Sequence, residues 1–383
     1  MYAALREKRK LVVGGSSHTV GVSGGYIQGG GHSFLGPWKG MASDNALEYT
    51  VVTATGDIVT ANEYQNSDLF WALRGGGGGT FGVVVDVTVR AFDDTPMVMT
   101  SLNISTTAGS PQFWKAMQIF HGALPSLNDA GGAGYYYMLP NLPLSKTMTV
   151  SALTIALIFP NTTDTARIDK LQAPLLKSLN ATSGVTTQYI SHAFPTIGSF
   201  IPAVLISGDA DDTGSIDIIS SRLYSRDLLA SDDGPNQLVS AFRQLEYQPG
   251  RSLIGHVVAG GKVAENARTV DSALNPAWRK TLVHVVISRG WASNATVQER
   301  QEVRQELTKE GTILRGVNDP SVRAAYLNEA DAEEPDFQQS FWGGNYPRLY
   351  AIKQKWDPSG LFMARETVGS EDWDDEGLCR VQT

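Results

Sequence analysis

Residues 11–45 read LVVGGSSHTVGVSGGYIQGGGHSFLGPWKGMASDN, and ten of these positions are glycine. Seventeen of the 39 glycines in the chain fall within its first 82 residues, about three times the usual frequency of ~7%. Glycine loses more chain entropy on folding than any other residue, so such density needs a local cause: positive φ, or close approach of another group to bare backbone. A ligand lying against the backbone is the functional cause. A turn-rich domain of short strands is the structural one.

Outward from this segment the pattern alternates between strand and turn. Residues 47–61 (LEYTVVTATGDIVTA) predict a β-hairpin around Ala54-Thr55-Gly56-Asp57. A short helix over 68–74 follows, with Asn66 or Ser67 as its cap and Gly75 as its stop. Val83, Val85, Val87 and Val89 then recur at period two, which predicts a strand over 81–91. Between helix and strand lies Gly77-x-Gly79-x-x-Gly82, which satisfies the dinucleotide fingerprint on paper. That fingerprint requires a strand before it and a helix after it. Here the order is inverted, which excludes a Rossmann site but leaves a run of N–H groups able to cradle an anion. Gly21-Val22-Ser23-Gly24-Gly25 matches the hydrolase elbow GxSxG, yet Tyr26 to Gly31 is a poor helix and the elbow must lead into one.

The remainder bounds the class. With 383 residues, the chain has room for two domains or one large domain with an insertion. Hydrophobic residues make up 42% and charged residues 18%, enough apolar material for sizeable cores. A net charge of −8 opposes nucleic-acid or anionic-membrane partners. The single cysteine, Cys379, forbids an intramolecular disulfide and a cysteine-built zinc site. The longest apolar run, Leu153 to Phe159, is far short of the ~20 residues that span a bilayer. Met1 to Lys10 (MYAALREKRK) has no apolar core and so reads as neither signal nor transit peptide. It predicts a helix running into Leu11-Val12-Val13, as though the chain began inside a domain.

From about residue 96 helices (111–123, 165–180) alternate with strands (134–139, 147–159, 252–258, 282–288), which predicts an α+β domain. Residues 297–311 predict a helix with interleaved charges, stopped by Gly311. The acidic end, 372–376, reads as a solvated terminus.

The six histidines (His18, His32, His121, His192, His256, His284) show no HxH or HExxH spacing, so no metal site is expected. His121, His256 and His284 are expected in the core or at an interface. Tyr135 and Tyr137 share one strand face, where aromatics form a substrate platform or, as expected here, fill the core.

Several long motifs in order then match a known family. They are Gly14-Gly15-Ser16-Ser17-His18-Thr19-Val20-Gly21, then GGYIQGGGHSFLGPWKG to Ser43-Asp44-Asn45, and VVTATGDIVTANEYQNSDLFWALRGGGGGTFGVVVDVTV. Further on come Ala325-Tyr326-Leu327-Asn328-Glu329-Ala330-Asp331, Phe341 to Leu349 (FWGGNYPRL), Asp357 to Phe362 (DPSGLF) and Val368 to Trp373 (VGSEDW). Together they resemble the FAD-linked oxidases of the vanillyl-alcohol oxidase superfamily, in the berberine-bridge-enzyme-like branch and its fungal members.

The resemblance implies an α+β fold: part of a PCMH-type FAD-binding domain (1–95), an α+β substrate domain with a mixed or antiparallel sheet covered by helices (96–340), and a C-terminal segment returning to the FAD domain (341–383). It implies FAD held by Ser17, Thr19, Gly25, Gly29, Gly30, Gly31, Ser33, Asp44, Gly79, Gly82, Val83, Asn345 and Tyr346. Tyr326, in Tyr-x-Asn, maps to the position of a catalytic base. The implied reaction passes hydride from an alcohol or secondary-metabolite substrate to flavin N5, with O2 as acceptor. Small-molecule substrate and O2 are the implied partners. Many members tether FAD through a Cys and an upstream His. Ser17 stands at the Cys position, and the subdomain carrying the His is expected to precede Met1 in related proteins. Both departures count against covalent attachment. The alternative expectation is a truncated, inactive paralogue that binds a small molecule or partner. Related proteins are often secreted, and Asn103, Asn161, Asn180 and Asn294 head glycosylation sequons.

Overall fold

β1 (Lys10–Leu11) leads into the glycine-rich segment, and the hairpin beyond it forms from β2 (Ala46–Val52) and β3 (Ile58–Asn62). β4 (Val83–Val89) pairs with the other edge of β2 to complete a three-stranded antiparallel sheet, and β5 (Phe92–Asp93) pairs back on β1. The computed structural model describes residues 1–17, 19–205, 216–317, 319, 322–374 and 377–381. His18 and two residues of the acidic end, 375 and 376, therefore lie outside the described residues.

The middle of the chain builds a seven-stranded sheet from β6 (Met97–Thr107), β7 (Ala133–Pro143), β8 (Thr149–Pro160), β9 (Thr186–Phe194), β10 (Asp217–Ser225), β11 (Leu253–Val257) and β12 (Thr281–Gly290). Its order is β10-β12-β11-β7-β8-β6-β9, and every pairing is antiparallel. With helices and antiparallel sheets combined, the fold is α+β.

The helices on this sheet start where local chemistry dictates. Ser110 accepts a hydrogen bond from Gln112 N at 3.2 Å ahead of helix Pro111–Asp129, with proline at the first helical position. Thr296 and Glu299 form a reciprocal capping box ahead of helix Val297–Arg315. Strand alternation sorts side chains between the two faces. Tyr136, Leu153, Ile155 and Leu157 join Phe113, Phe120 and Leu124 in the helix-covered core, whereas Tyr135, Tyr137, Thr154 and Ala156 face the other way.

Several expectations need correction. The last helix does not stop at Gly311; it runs to Arg315, and Gly311 is an interior site where an added Cβ would lie 2.6 Å from Ser220 Oγ on β10. Close helix–sheet approach, not termination, explains that glycine. Asn66 precedes helix Ser67–Ala72 without capping it: its φ is 49° and its amide donates instead to Thr60 O at 2.8 Å. The first helix ends at Glu7, and Arg9, at φ 52°, turns the chain into β1. β6, β9 and β10 had no clear signal in the sequence.

Two cations fasten the two glycine runs to the rest. Asp44 accepts from Arg279 at 2.7 and 2.8 Å, from Asn266 Nδ2 at 2.9 Å and from Met41 N at 3.0 Å. From the C-terminal end, the buried Lys353 ammonium donates to Thr80 O (2.7 Å), Asp357 Oδ2 (2.6 Å) and Phe362 O (2.9 Å). Leu361 N and Phe362 N also donate to Asp357, so the DPSGLF stretch is a turn wound around one carboxylate. Around these contacts, Phe341, Trp342, Leu349 and Val368 pack with Ile27, Tyr49, Trp71 and Phe81 in a second core.

Removing one member of a buried ion pair leaves the other charge without a partner. Asp44 and Arg279 have side chains only 1% and 10% exposed. Asp44→Ala is expected to lower unfolding free energy by about 3–5 kcal/mol, measured by urea unfolding. A loss below about 1 kcal/mol would show that other contacts hold the segment.

Candidate functional site

Two cavities meet along the glycine-rich backbone. The smaller, about 570 Å³, is lined by Gly24, Gly25, Gln28, the run Gly76 to Gly79, Gly82, Val83, Asn328, Trp342 and Glu366, among others. The larger, about 840 Å³, is lined by Gly15, Ser17, Gly24, Gly25, Tyr26, His32, Tyr135, Tyr137, Thr154, Ala156, Phe200, His256, Tyr326, Asn328 and Glu329, among others. Gly24, Gly25 and Asn328 belong to both.

The smaller cavity is built by one glycine stretch lying on another. Gly75 N and Gly77 N both donate to Gln28 O, at 2.9 and 3.1 Å, and Trp342 Nε1 donates to Gly75 O at 3.2 Å. At Gly78 a Cβ would stand 2.8 Å from Gly25 Cα, whereas at Gly24, Gly25 and Gly79 it would meet nothing within 4 Å. The backbone is therefore bare toward the cavity. Gln28 Oε1 is buried there without a hydrogen-bond partner. A wall of side-chain-free backbone with an unspent buried polar atom fits a nucleotide cofactor.

The larger cavity has a polar end. Asn328 Nδ2 donates to Tyr326 Oη at 2.7 Å, and Gly31 N donates to the same oxygen at 3.1 Å. Asn328 also donates to Gly25 O at 3.0 Å, so one amide ties the phenol to the glycine wall. Behind them His32 Nε2 lies 2.8 Å from Glu329 Oε1, and the Nδ1 atoms of His256 and His284 face each other at 3.0 Å. Burial pushes the Tyr326 phenol above its ordinary value and the Glu329 carboxylate adds to that, against the two donors. Burial also pushes His284 down to about 3, and His256 well below its ordinary value. Burial opposes ionisation of Glu329, but the neighbouring imidazoles, His32 foremost, outweigh it and hold the carboxyl below its usual range.

The expected site residues divide into four groups. Gly25, Gly79, Gly82, Val83, Ser17 and Tyr326 line a cavity. Gly29, Gly30 and Gly31 line neither but sit directly behind the wall: a Cβ on Gly29 would strike Asn328 Oδ1 at 2.4 Å, and Gly31 supplies the donor to Tyr326. Ser33, Asp44, Asn345 and Tyr346 also line neither, because their polar atoms are committed elsewhere. Ser33 Oγ donates to Gly14 O, Asp44 pairs with Arg279, Asn345 Nδ2 donates to Leu274 O, and Tyr346 Oη donates to Glu371. Thr19 Oγ1 lies 3.1 Å from Ser17 Oγ at the exposed rim.

The tyrosine reading needs correction in part: Tyr135 and Tyr137 line the cavity, Tyr135 also packs against two neighbouring cores, and Tyr136 fills the helix-covered core. Among the described residues no hydrogen bond joins Ser23 Oγ to a histidine, so the GxSxG match carries no triad. His121 is a satisfied core histidine, bonded to Met117 O and Tyr136 Oη. His256 and His284 are buried as expected but converge on Glu329 and His32, a grouping the sequence reading missed. The available signal was one histidine on each of two apolar strands, which become direct cross-strand neighbours once β11 pairs with β12.

A family model described as berberine and berberine like matches residues 325–369, the stretch that supplies Tyr326, Asn328, Trp342 and Lys353. The chain is 47% identical over 382 residues to a protein of Arthroderma benhamiae described as an uncharacterized FAD-linked oxidoreductase, covering 100% of this chain and 64% of that one. It is 37% identical over 392 residues to the FAD-linked oxidoreductase easE of the same fungus, covering 99% of this chain and 74% of that one. The chain belongs to the berberine-bridge-enzyme-like family of FAD-linked oxidoreductases. Its fold agrees: it matches the VAO-type flavoprotein MtVAO615 of Myceliophthora thermophila with a TM-score of 0.86 at 30% identity, over 99% of this chain and 67% of that one. This chain spans less than two thirds of the length of the first relative.

The open space beside Gly25 separates folding from cofactor uptake. Gly25→Leu is expected to change stability by no more than about 0.5 kcal/mol, since a Cβ added there meets nothing within 4 Å. The same change should abolish FAD uptake, followed by quenching of flavin fluorescence. Undiminished uptake would remove this wall from the cofactor site.

Proposed function

We propose that this chain forms the substrate-facing half of an FAD-dependent oxidoreductase acting on an alcohol or a secondary-metabolite intermediate. The observation that supports the reading best is the bare backbone at Gly24 and Gly25, shared by a glycine cradle on one side and an aromatic-walled chamber on the other. Gly24, Gly25, Gly76 to Gly79, Gly82, Gln28 and Trp342 would hold the cofactor. When bound, FAD supplies a two-electron acceptor that takes a hydride from the substrate and passes the electrons to O2.

The protein's own contribution is orientation and proton handling. Tyr135, Tyr137 and Phe200 offer flat apolar walls that bind a hydrophobic substrate and displace water. Tyr326 Oη accepts from Asn328 and Gly31, which leaves its remaining direction for a substrate oxygen. Both donors favour phenolate at that atom, the form needed to receive the substrate hydroxyl proton. Burial opposes it most and Glu329 adds to that, so positive charge placed beside Glu329 would ease proton transfer to Tyr326.

Tyr326→Phe keeps the ring and deletes Oη. Flavin reduction by substrate is expected to slow by about 10²–10⁴-fold, with FAD uptake preserved. An unchanged rate in rapid mixing would remove Tyr326 from the reaction. Failure of the native chain to take up any FAD would instead favour the binding-protein alternative.

Ser17 faces the larger cavity, and a hydroxyl offers no sulfur for a thioether. We therefore infer that FAD in this chain has no cysteinyl bond. Acid precipitation of the FAD-loaded chain is expected to leave the yellow colour in the supernatant; flavin retained in the washed pellet would contradict this.

A further inference from the structure

We propose that His32, His256, His284 and Glu329 form a mononuclear site for a divalent transition metal, zinc in the first instance. Each offers one ligand atom, and these atoms all lie within 4.8 Å of one another. The set is three imidazole nitrogens and one carboxylate oxygen, which suits zinc.

The geometry carries the inference. In a tetrahedral zinc site with bonds of about 2.0–2.1 Å, neighbouring ligand atoms stand about 3.3 Å apart. His256 Nδ1 and His284 Nδ1 are 3.0 Å apart, and each is 3.7 Å from Glu329 Oε2. These three edges enclose a triangle close to one face of that tetrahedron. His32 Nε2, 2.8 Å from the other carboxylate oxygen, Glu329 Oε1, lies with the rest of the set inside 4.8 Å and is the nitrogen that would move in to the fourth corner.

A cluster held only by hydrogen bonds accounts for the same atoms less well. Two neutral imidazoles that meet Nδ1 to Nδ1 satisfy each other only if one carries its proton on Nδ1. The outer nitrogens, His284 Nε2 and His32 Nδ1, are buried without a partner whether or not an ion is present, so it is the facing Nδ1 pair that distinguishes the ion. An ion accepts both Nδ1 lone pairs at once and removes the need for a shared proton. It also neutralises the carboxylate of Glu329, which stands at the end of an aromatic chamber.

The ligands come from three separate parts of the fold. His32 follows the glycine run, His256 and His284 sit side by side on β11 and β12, and Glu329 closes the turn Leu327–Glu329. Four protein ligands fill a tetrahedron, as in structural zinc sites, whereas catalytic zinc keeps an open position. The ion would therefore clamp the glycine wall and the Tyr326–Asn328 turn to the substrate sheet. The inference rests on these four side chains alone and does not require that the chain bind FAD.

The test uses the full 383-residue chain without added flavin. Elemental analysis after dialysis against zinc is expected to find one equivalent per chain. Cobalt(II) in its place should give the intense visible absorption of a tetrahedral centre. His256→Ala/His284→Ala should lose the equivalent, and Glu329→Gln, which keeps side-chain size, should weaken uptake by about 100-fold or more. His192→Ala, outside the cluster, should bind as the native chain does. If the double variant fails to fold, judged by circular dichroism, Glu329→Gln decides alone. Absence of uptake by the folded native chain, or uptake by Glu329→Gln equal to native, would overturn the site.

Discussion

The ion pair between Asp44 and Arg279 holds a segment that cannot hold itself. Residues 11–45 bury Leu11, Val13, Ile27, Phe34, Leu35 and Met41 only in cores shared with the rest of the fold, and between these side chains the backbone is left uncovered. Such a segment needs external fastening: Arg279 grips it from the turn that precedes β12, and Lys353 reaches the second glycine run from the C-terminal helix. Both cations are held by several acceptors, Arg279 by Asp44 and Val263 O and Lys353 by three oxygens, so they act as pins. The cavities exist because these pins set the distance between glycine wall and sheet.

The same logic explains why the C-terminal stretch returns. Trp342 bonds Gly75 O, Asn328 bonds Gly25 O, and the turn around Asp357 presents the Lys353 contact. Residues distant in sequence meet because the glycine run has carbonyls to offer and few side chains to intervene. Position 31 shows how close this fit is. Gly31, at φ 72°, would carry a Cβ only 2.7 Å from Ala42 and 2.9 Å from Tyr26, yet its N–H must reach Tyr326.

Local elements were largely legible in the sequence. The hairpin over 47–61 and the helix over 165–180 follow from turn residues and capping, which act within a few positions. The period-two valines of β4 were equally clear. Long-range pairing was not legible. β6, β9 and β10 become strands because neighbours hundreds of atoms away complete their ladders, and Gly311 resembles a helix stop until Ser220 is placed against it. The candidate site shows the same limit. Tyr326 and the glycines were recoverable through family motifs, whereas His32 and Glu329 stand 297 positions apart and share no spacing that a motif could encode. His256 and His284 needed the register of β11 on β12.

The run Tyr135-Tyr136-Tyr137 divides one kind of side chain between two duties. Tyr136 seals the core against His121 while its neighbours wall the chamber. Inserting or deleting one residue in β7 would exchange these duties, pointing the sealing ring into the chamber and the wall rings into the core. Descendants of this chain can therefore change what the chamber accepts by altering letters at 135, 137, 154 and 156, but not by altering the length of the strands that carry them. Substrate range in such a scaffold drifts by substitution on a fixed grid.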